Sequence, residues 1–159
     1  MLTLLAALVA ATQSPPKAVS LGQTAWIFST IGHSEFCNPG HVRLDLRSGR
    51  YSLTARAPRS VCNKKGLKRP VRSGTLRDHS LGKLRAAYQD VLVEGLENPV
   101  CRSGGKPQDI IISNGGTPIL LLATGRAVAS APDDLTCWSK SATALHEALD
   151  DAFAVRNWR

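Results

Sequence analysis

Apolar and polar residues alternate along HVRLDLRSGRYSLTAR, residues 41–56, on both sides of Ser48-Gly49. A period of two residues is typical of strands that bury one face. The pair Ser48-Gly49 fits a two-residue turn between two such strands. The pattern therefore predicts a β-hairpin with its apolar side chains on one face and Leu44 opposite Leu53.

Three further segments favour strands because they are rich in β-branched, aromatic or other apolar residues. They are TAWIFSTI at residues 24–31, QDIIIS at residues 108–113 and PILLLA at residues 118–123, and AVAS at residues 127–130 is a candidate for one more strand. The turn residues NGGT join the second and third of these segments, which predicts another hairpin. Its Ile and Leu residues occupy both faces, so we expect it in the middle of the sheet.

Two segments carry apolar residues at helical spacing, residues 80–95 and residues 139–153. In the first, Ser80 is placed to cap the amino end and Gly95 to end the helix. Two serines at the start of the second segment can act as its N-cap, Ser139 and Ser141.

These elements predict an α+β fold with one antiparallel sheet of about five strands and two helices packed on one face. The order is ββαββα-like, and residues 24–159 form a single domain. In each half a cysteine, a hairpin, a second cysteine and a helix follow one another. This order favours two disulfides, Cys37 with Cys62 and Cys101 with Cys137. The residues of the two halves do not match, so the order is no proof of duplication.

The amino-terminal residues MLTLLAALVAATQSPP begin with an unbroken apolar run and then turn polar. This pattern predicts a secretory signal peptide over residues 1–11, followed by a flexible lead-in over residues 12–23. The protein is then secreted or periplasmic, with two disulfides and no transmembrane segment in the mature chain. The alternative is a buried first helix in a cytosolic protein with free cysteines, because the segment lacks an early Lys or Arg.

Charge is the most unusual feature of the composition. The chain has 20 basic and 12 acidic residues, a formal net charge of +8. Residues 56–77 contain eight basic residues and no acidic one. They predict an anion-binding loop that uses Lys64, Lys65, Lys68, Arg69 and Arg72. The alternative is a solubilising, protease-exposed connection.

The expected partners are an anionic polymer, an anionic membrane surface or an acidic protein. Nucleic acid is not expected, because residues 56–77 contain no aromatic side chain on which bases could stack.

Candidate metal ligands occur in HSEFCNPGH, where His33, Cys37 and His41 are four residues apart. That spacing places three ligands on one face only in a helix, and Pro39-Gly40 disrupts a helix there. We therefore expect no metal site, and no other motif indicates a cofactor.

Support in the sequence for catalytic residues is as weak as that for metal ligands. Asp78, His79 and Ser80 are adjacent in sequence, whereas the members of a catalytic triad converge in space, usually from distant segments. Their place at a helix start favours capping. His146 and Asp150 are one helical turn apart, an arrangement common on exposed helix surfaces. The sequence assigns no catalytic residue.

The sequence favours a noncatalytic binding or inhibitor-like module of the cell envelope. This function accounts together for export, disulfides, positive charge and the lack of catalytic motifs. One alternative is a small exported hydrolase that uses a histidine, with four candidates: His33, His41, His79 and His146. Another is a structural or assembly role through an exposed sheet edge.

Export and disulfide formation can be tested by intact mass spectrometry of the exported protein. We expect the mass of the chain without residues 1–11, lowered by about 4 Da because two disulfides remove four hydrogens. Retention of residues 1–11, or free thiols in the native protein, would contradict the predicted export. A metal adduct with Cys37 still free would support a metal site.

Overall fold

A computed structural model of the chain describes residues 24–31, 40–55, 69–105, 118–124 and 127–157. The described residues form six strands: β1 Thr24–Ile31, β2 Gly40–Leu44, β3 Arg50–Thr54, β4 Val71–Thr75, β5 Leu120–Thr124 and β6 Ala127–Ser130. They also form three α-helices: α1 Asp78–Glu94, α2 Pro99–Arg102 and α3 Lys140–Asn157. A short 3-10 turn covers Leu135–Cys137. The fold is α+β, as predicted.

All strands belong to one antiparallel sheet, in the order β4-β3-β2-β1-β5-β6. The central strand β1 pairs with β2 on one side and with β5 on the other. Helices α1 and α3 contact each other, and α3 contacts β1. The sheet thus has one face covered by helices, which we call the core face, and an opposite face, which we call the outer face.

The core face is apolar because alternate strand residues point towards the helices. Ile27 and Ile31 of β1 are fully buried there. From α3, the Phe153 ring meets the Tyr51 ring edge to face, with ring centroids 5.0 Å apart. Burying one large apolar side chain contributes about 1.5–3 kcal/mol, so this face is the main source of stability. The other fully buried large side chains are Val42, Leu44, Leu46, Leu53, Leu84, Tyr88, Leu120, Leu145 and Leu149.

The predicted hairpin of β2 and β3 is present, but its register differs from the prediction by two residues. Leu44 lies opposite Tyr51, whereas Leu53 lies opposite Val42. The strands are joined by residues 46–49 rather than by Ser48-Gly49 alone, since the Asp45 amide donates to the Arg50 carbonyl. A shift of two residues keeps the same side chains on the core face.

Side chains explain the longer turn. The Asp45 carboxylate accepts hydrogen bonds from the Ser48 hydroxyl at 2.6 Å and from the Arg47 amide at 2.9 Å. From α1, Arg85 donates to the carbonyls of Leu46 and Arg47 at 2.9 and 2.7 Å. Leu46 is therefore buried within the turn rather than paired in a strand.

Strand β4 was not predicted. Its residues, VRSGT, lie inside the basic segment 56–77, which we expected to be a connection without regular structure. The strand lacks alternating apolar residues because it is an exposed edge strand paired with β3. A Cβ atom on Gly74 would lie 2.7 Å from the Tyr51 hydroxyl, so glycine allows the tyrosine to pack across this strand. In the part of the chain that the structure describes, the sheet therefore has six strands rather than about five.

Helix α1 begins at Asp78, two residues before the predicted cap, and its N-cap residue Arg77 makes no side-chain capping bond. The prediction of Ser80 as N-cap is wrong. Gly95 ends the helix with a positive φ of 92°, as predicted. At the start of α3, the buried Ser139 hydroxyl accepts from the Ala142 amide at 3.0 Å and donates to the Gly95 carbonyl at 2.6 Å. Ser139 therefore caps α3 and joins it to the end of α1.

One of the two predicted disulfides is seen. Cys101 of α2 is bonded to Cys137 of the 3-10 turn. Beside it, the Asn98 amide donates to the Cys137 carbonyl at 2.7 Å. Cys37 and Cys62 lie outside the described residues, so their bridge stays a prediction. The same holds for residues 1–11, 12–23 and 108–113.

The order of the described elements is ββββααββα, which differs from the ββαββα-like prediction. Compared with the segments predicted from the sequence, strand β4 and the short helix α2 are additional. They have only five and four residues, too few to produce a period that the sequence alone reveals. The helices in the described ranges all lack either the length or the apolar content that a bilayer-spanning segment needs.

Replacing Ser139 with alanine tests the junction between α1 and α3. The change removes an N-cap bond and leaves the Gly95 carbonyl without its donor, so we expect unfolding to become about 1–2 kcal/mol easier. Urea denaturation measures this. Ser80→Ala is the matched control and should change stability by less than about 0.5 kcal/mol. Equal losses in both variants would contradict the capping role of Ser139.

Candidate functional site

The outer face of the sheet carries the polar and aromatic residues that alternate with the buried core. Position along each strand decides which residues these are, because neighbouring residues point to opposite faces. On β1, β2 and β3 they are Trp26, Phe28, Thr30, His41, Arg43, Arg50, Ser52 and Thr54. No helix among the described residues packs on this face.

Strand pairing brings distant residues into one row across the outer face. Leu121 lies opposite Phe28, which lies opposite Arg43. Arg43 lies opposite Ser52, which lies opposite Ser73. Adjacent strands are about 4.8 Å apart, so the part of the row from Phe28 to Ser73 extends roughly 14 Å. The row changes from apolar to cationic to hydroxyl-bearing as it approaches β4.

Two aromatic rings of β1 contact side chains of β2, one an arginine and the other a histidine. The Arg43 guanidinium lies over the Trp26 ring, 4.1 Å from its centroid. The His41 ring is stacked on the Phe28 ring, with centroids 5.4 Å apart and planes inclined by 21°. A cation over an indole face is attracted by the ring quadrupole, by about 0.5–1 kcal/mol at exposed sites. The stack therefore restrains an arginine that would otherwise move freely in solvent.

A shallow open depression of about 500 Å³ lies beside this stack. Eight residues from four strands line it: Trp26, Arg43, Arg50, Tyr51, Ser52, Ser73, Gly74 and Thr75. Within the described ranges, the guanidinium groups of Arg43 and Arg50 donate to no protein acceptor. The depression thus offers two arginines and three hydroxyls to a ligand, and no lining residue is acidic.

Charge is divided between the two layers of the fold. The six strands contain Arg43, Arg50 and Arg72, and no Asp or Glu. Every acidic residue that the structure describes lies in a helix or a connection. The nearest in sequence to the outer face is Asp45, whose carboxylate is hydrogen-bonded within the β2–β3 turn. The sheet is therefore the cationic layer of the molecule.

His41 lies in a different environment from an exposed histidine. Its Nδ1 atom is buried and has no hydrogen-bond partner among the described residues. Burial lowers the pKa of His41 below its usual 6.5, and the positive charge of Arg69 lowers it further. The imidazole is consequently neutral at pH 7 and adds an aromatic surface rather than a charge.

The structure separates the described members of the predicted anion-binding loop. Arg69 precedes β4 and acts electrostatically on His41. Arg72 is exposed on β4 and lies opposite Leu53, a core-face position, so it lies at the edge of the sheet rather than with Arg43. Lys64, Lys65 and Lys68 lie outside the described residues, and their role stays a prediction.

The histidines proposed for a hydrolase do not gather in the described residues. His41 is on β2, the exposed His79 is in the first turn of α1, and His146 of α3 lies beside Trp138. None of these three lines the depression. His33 is outside the described ranges. Within them, no three His, Cys, Asp or Glu side chains form a group that could hold a metal.

Trp26, Arg43 and Arg50 were not among the site residues predicted from the sequence. A local signal was present, because alternation places Trp26 beside Phe28 on one face of a strand and Arg43 on the polar face of another. The pairing of β1 with β2, however, was not predicted from the sequence. That pairing joins residues 17 positions apart into one cation–aromatic contact.

Comparisons of the chain with protein-family models, with curated proteins and with solved structures found no match. The function proposed below therefore depends on the residues of this chain alone.

The environment of His41 predicts a pH effect on stability. A histidine whose pKa is lowered on folding binds its proton more weakly in the folded than in the unfolded chain. Stability should therefore fall as the pH drops below 6.5, whereas above 6.5 this residue should have no effect. Proton NMR should give a His41 titration midpoint below 6.5.

His41→Phe is the matched variant, because it keeps the ring on Phe28 and removes the titration. Urea unfolding at about pH 7.5 and about pH 5 should show a smaller loss of stability in this variant than in the wild type. At about 1 M NaCl the contribution of Arg69 is screened, yet the midpoint should stay low because burial is the larger cause. A midpoint at or above 6.5 would contradict the structure.

Proposed function

We propose that the protein is a noncatalytic binding module of the cell envelope that holds an anionic polymer on the outer face of its sheet. The observation that carries this proposal is the division of charge between the layers. The strands contain no carboxylate, and two of their three arginines, Arg43 and Arg50, lie on the outer face, whereas the acidic residues that the structure describes lie in the helices and connections. Such a face attracts anions and repels cations.

The shape of the face favours an extended polymer as the partner. The row from Phe28 through Arg43 and Ser52 to Ser73 crosses four strands in nearly a straight line. Its cationic and hydroxyl groups can contact successive units of a chain that lies across the sheet. A short flat row with one open depression is less suited to a compact acidic protein, which needs a larger buried area.

The arginines on this face are available for binding. Arg43 and Arg50 have no ion pair with any described residue, so no internal salt bridge has to be broken. Arg43 is also restrained by Trp26 at 4.1 Å, which reduces the conformational entropy lost when it binds.

Neutralising both arginines should weaken polymer binding and reduce its dependence on salt concentration. We expect the double variant Arg43→Gln/Arg50→Gln to bind immobilised heparin, a polyanionic probe, at least about tenfold more weakly near 0.1 M salt. The slope of log Kd against log salt should decrease by about two, because two fewer ions are displaced. Salt titration of the Kd measures both effects.

The matched control removes the same charge from the helix layer. Lys83→Gln/Lys140→Gln replaces two exposed lysines of α1 and α3, so net charge is equal in the two double variants. Equal weakening in both would show that binding follows net charge and would refute a specific role for the outer face.

In a third variant, Lys64, Lys65, Lys68 and Arg69 are replaced by Gln. If this variant binds heparin as strongly as the wild type, the loop takes no part in binding. If it binds heparin more weakly, the loop belongs to the binding surface.

A further inference from the structure

We propose that the depression beside Trp26 is a subsite for one tetrahedral oxyanion, a phosphate or sulfate group carried by the polymer. This inference rests on the proposed function and names the chemical group that the outer face recognises. It depends on the number, kind and direction of the donors that line the depression.

Arg43 is the central donor of the subsite. The central carbon of its guanidinium lies over the Trp26 ring, 4.1 Å from the ring centroid, and the guanidinium has no acceptor among the described residues. The N–H groups of a guanidinium lie in its plane and point outward from its edge. They therefore stay available for two parallel hydrogen bonds to an oxyanion, the geometry that arginine forms with phosphate. Trp26 acts as a positioning residue for Arg43.

Arg50 supplies a second cation from the next strand. It projects from β3 on the same face as Ser52, and Ser52 is the direct partner of Arg43. On one sheet face, diagonal neighbours of this kind lie within reach of each other when the side chains are long. Because neither arginine has an acceptor among the described residues, a shared anion would also relieve the repulsion between them.

Hydroxyl groups line another side of the depression. Ser52 and Ser73 form a direct cross-strand pair, and Thr75 lies opposite Arg50. Each hydroxyl can donate one hydrogen bond. Donors thus converge from three strands rather than along one edge, which suits an anion whose oxygens point in several directions. A planar carboxylate is already satisfied by one bidentate arginine.

The size of the depression agrees with a group attached to a larger molecule. About 500 Å³ is far more than one phosphate or sulfate occupies. The remaining open space can admit the unit of the polymer that carries the oxyanion. The absence of any acidic lining residue removes the repulsion that would exclude a doubly charged group.

The test is a titration of the isotope-labelled protein by NMR with sodium phosphate, sodium sulfate and sodium acetate, each against NaCl of equal ionic strength. We expect saturable amide shifts with phosphate, sulfate or both, centred on Arg43, Ser52 and Ser73. The anion whose amide shifts saturate at the lower concentration identifies which group, phosphate or sulfate, the subsite binds. Saturation by acetate at the same concentration would overturn the tetrahedral preference, and no saturable shift with any anion would overturn the subsite.

Three variants distinguish this subsite from general attraction to the face. Arg43→Lys keeps the charge but loses the planar paired donors, so phosphate or sulfate binding should weaken about tenfold while heparin retention changes little. Trp26→Leu should weaken the same anion severalfold through loss of Arg43 positioning, with rescue in Trp26→Phe. Lys83→Gln should have no effect. All variants are compared after their thermal unfolding confirms a folded protein.

The outcomes separate the two proposals. If Arg43→Lys binds the small anion as the wild type does, the subsite is wrong even where the outer face still retains heparin. If Arg43→Gln/Arg50→Gln retains heparin as well as the wild type, the proposed function is wrong. Loss of small-anion binding in Arg43→Lys supports the subsite, and loss of heparin retention in Arg43→Gln/Arg50→Gln but not in Lys83→Gln/Lys140→Gln supports the proposed function.

Discussion

The sheet is buried on one side only, against α1 and α3, and this burial determines both the core and the composition of the outer face. The central strand β1 turns Ile27 and Ile31 towards the helices, and both side chains are completely buried. Since successive strand residues point to opposite faces, this burial forces Trp26 and Phe28 onto the outer face. The chemistry of the outer face is thus a geometric consequence of how the core is made.

A second set of contacts keeps the helices in place over the core. The Ser139 hydroxyl joins the start of α3 to the Gly95 carbonyl at the end of α1. Nearby, the Glu94 carboxylate accepts from the Ser141 amide at 2.9 Å, and hydrogen bonds from Ser141 lower the pKa of Glu94. The Cys101–Cys137 disulfide closes the same region covalently. These bonds lie in the helix layer and its connections, so the outer face is free of structural cross-links of this kind in the described residues.

Separation of charge into layers follows from the same architecture. Helices and a sheet pack at about 10 Å, which is close to the Debye length near 0.1 M salt. Carboxylates on the far side of α1 and α3 are therefore largely screened from an anion at Arg43. The protein can carry acidic helices, such as α3 with Glu147, Asp150 and Asp151, and still present a cationic sheet.

The residues of the candidate site illustrate how far local information extends. Alternation along TAWIFSTI and HVRLDL shows which side chains share a face of one strand, and helical spacing shows which faces of α1 and α3 are buried. These patterns depend on near neighbours in the chain, so they predicted strands, helices and the α+β class. They also predicted the Cys101–Cys137 bridge through the order of the elements.

Apart from pairing within hairpins, pairing between strands was not available from such patterns. Which residues alternate and which are charged can be read from the chain alone, because these properties are local. Contacts made in the folded protein determine that VRSGT becomes the edge strand β4 and that the β2–β3 turn has four residues. They also place Arg43 over Trp26. The physical reason is that each of these features is stabilised by partners distant in sequence: the β3 ladder, the Arg85 side chain and the indole ring of β1.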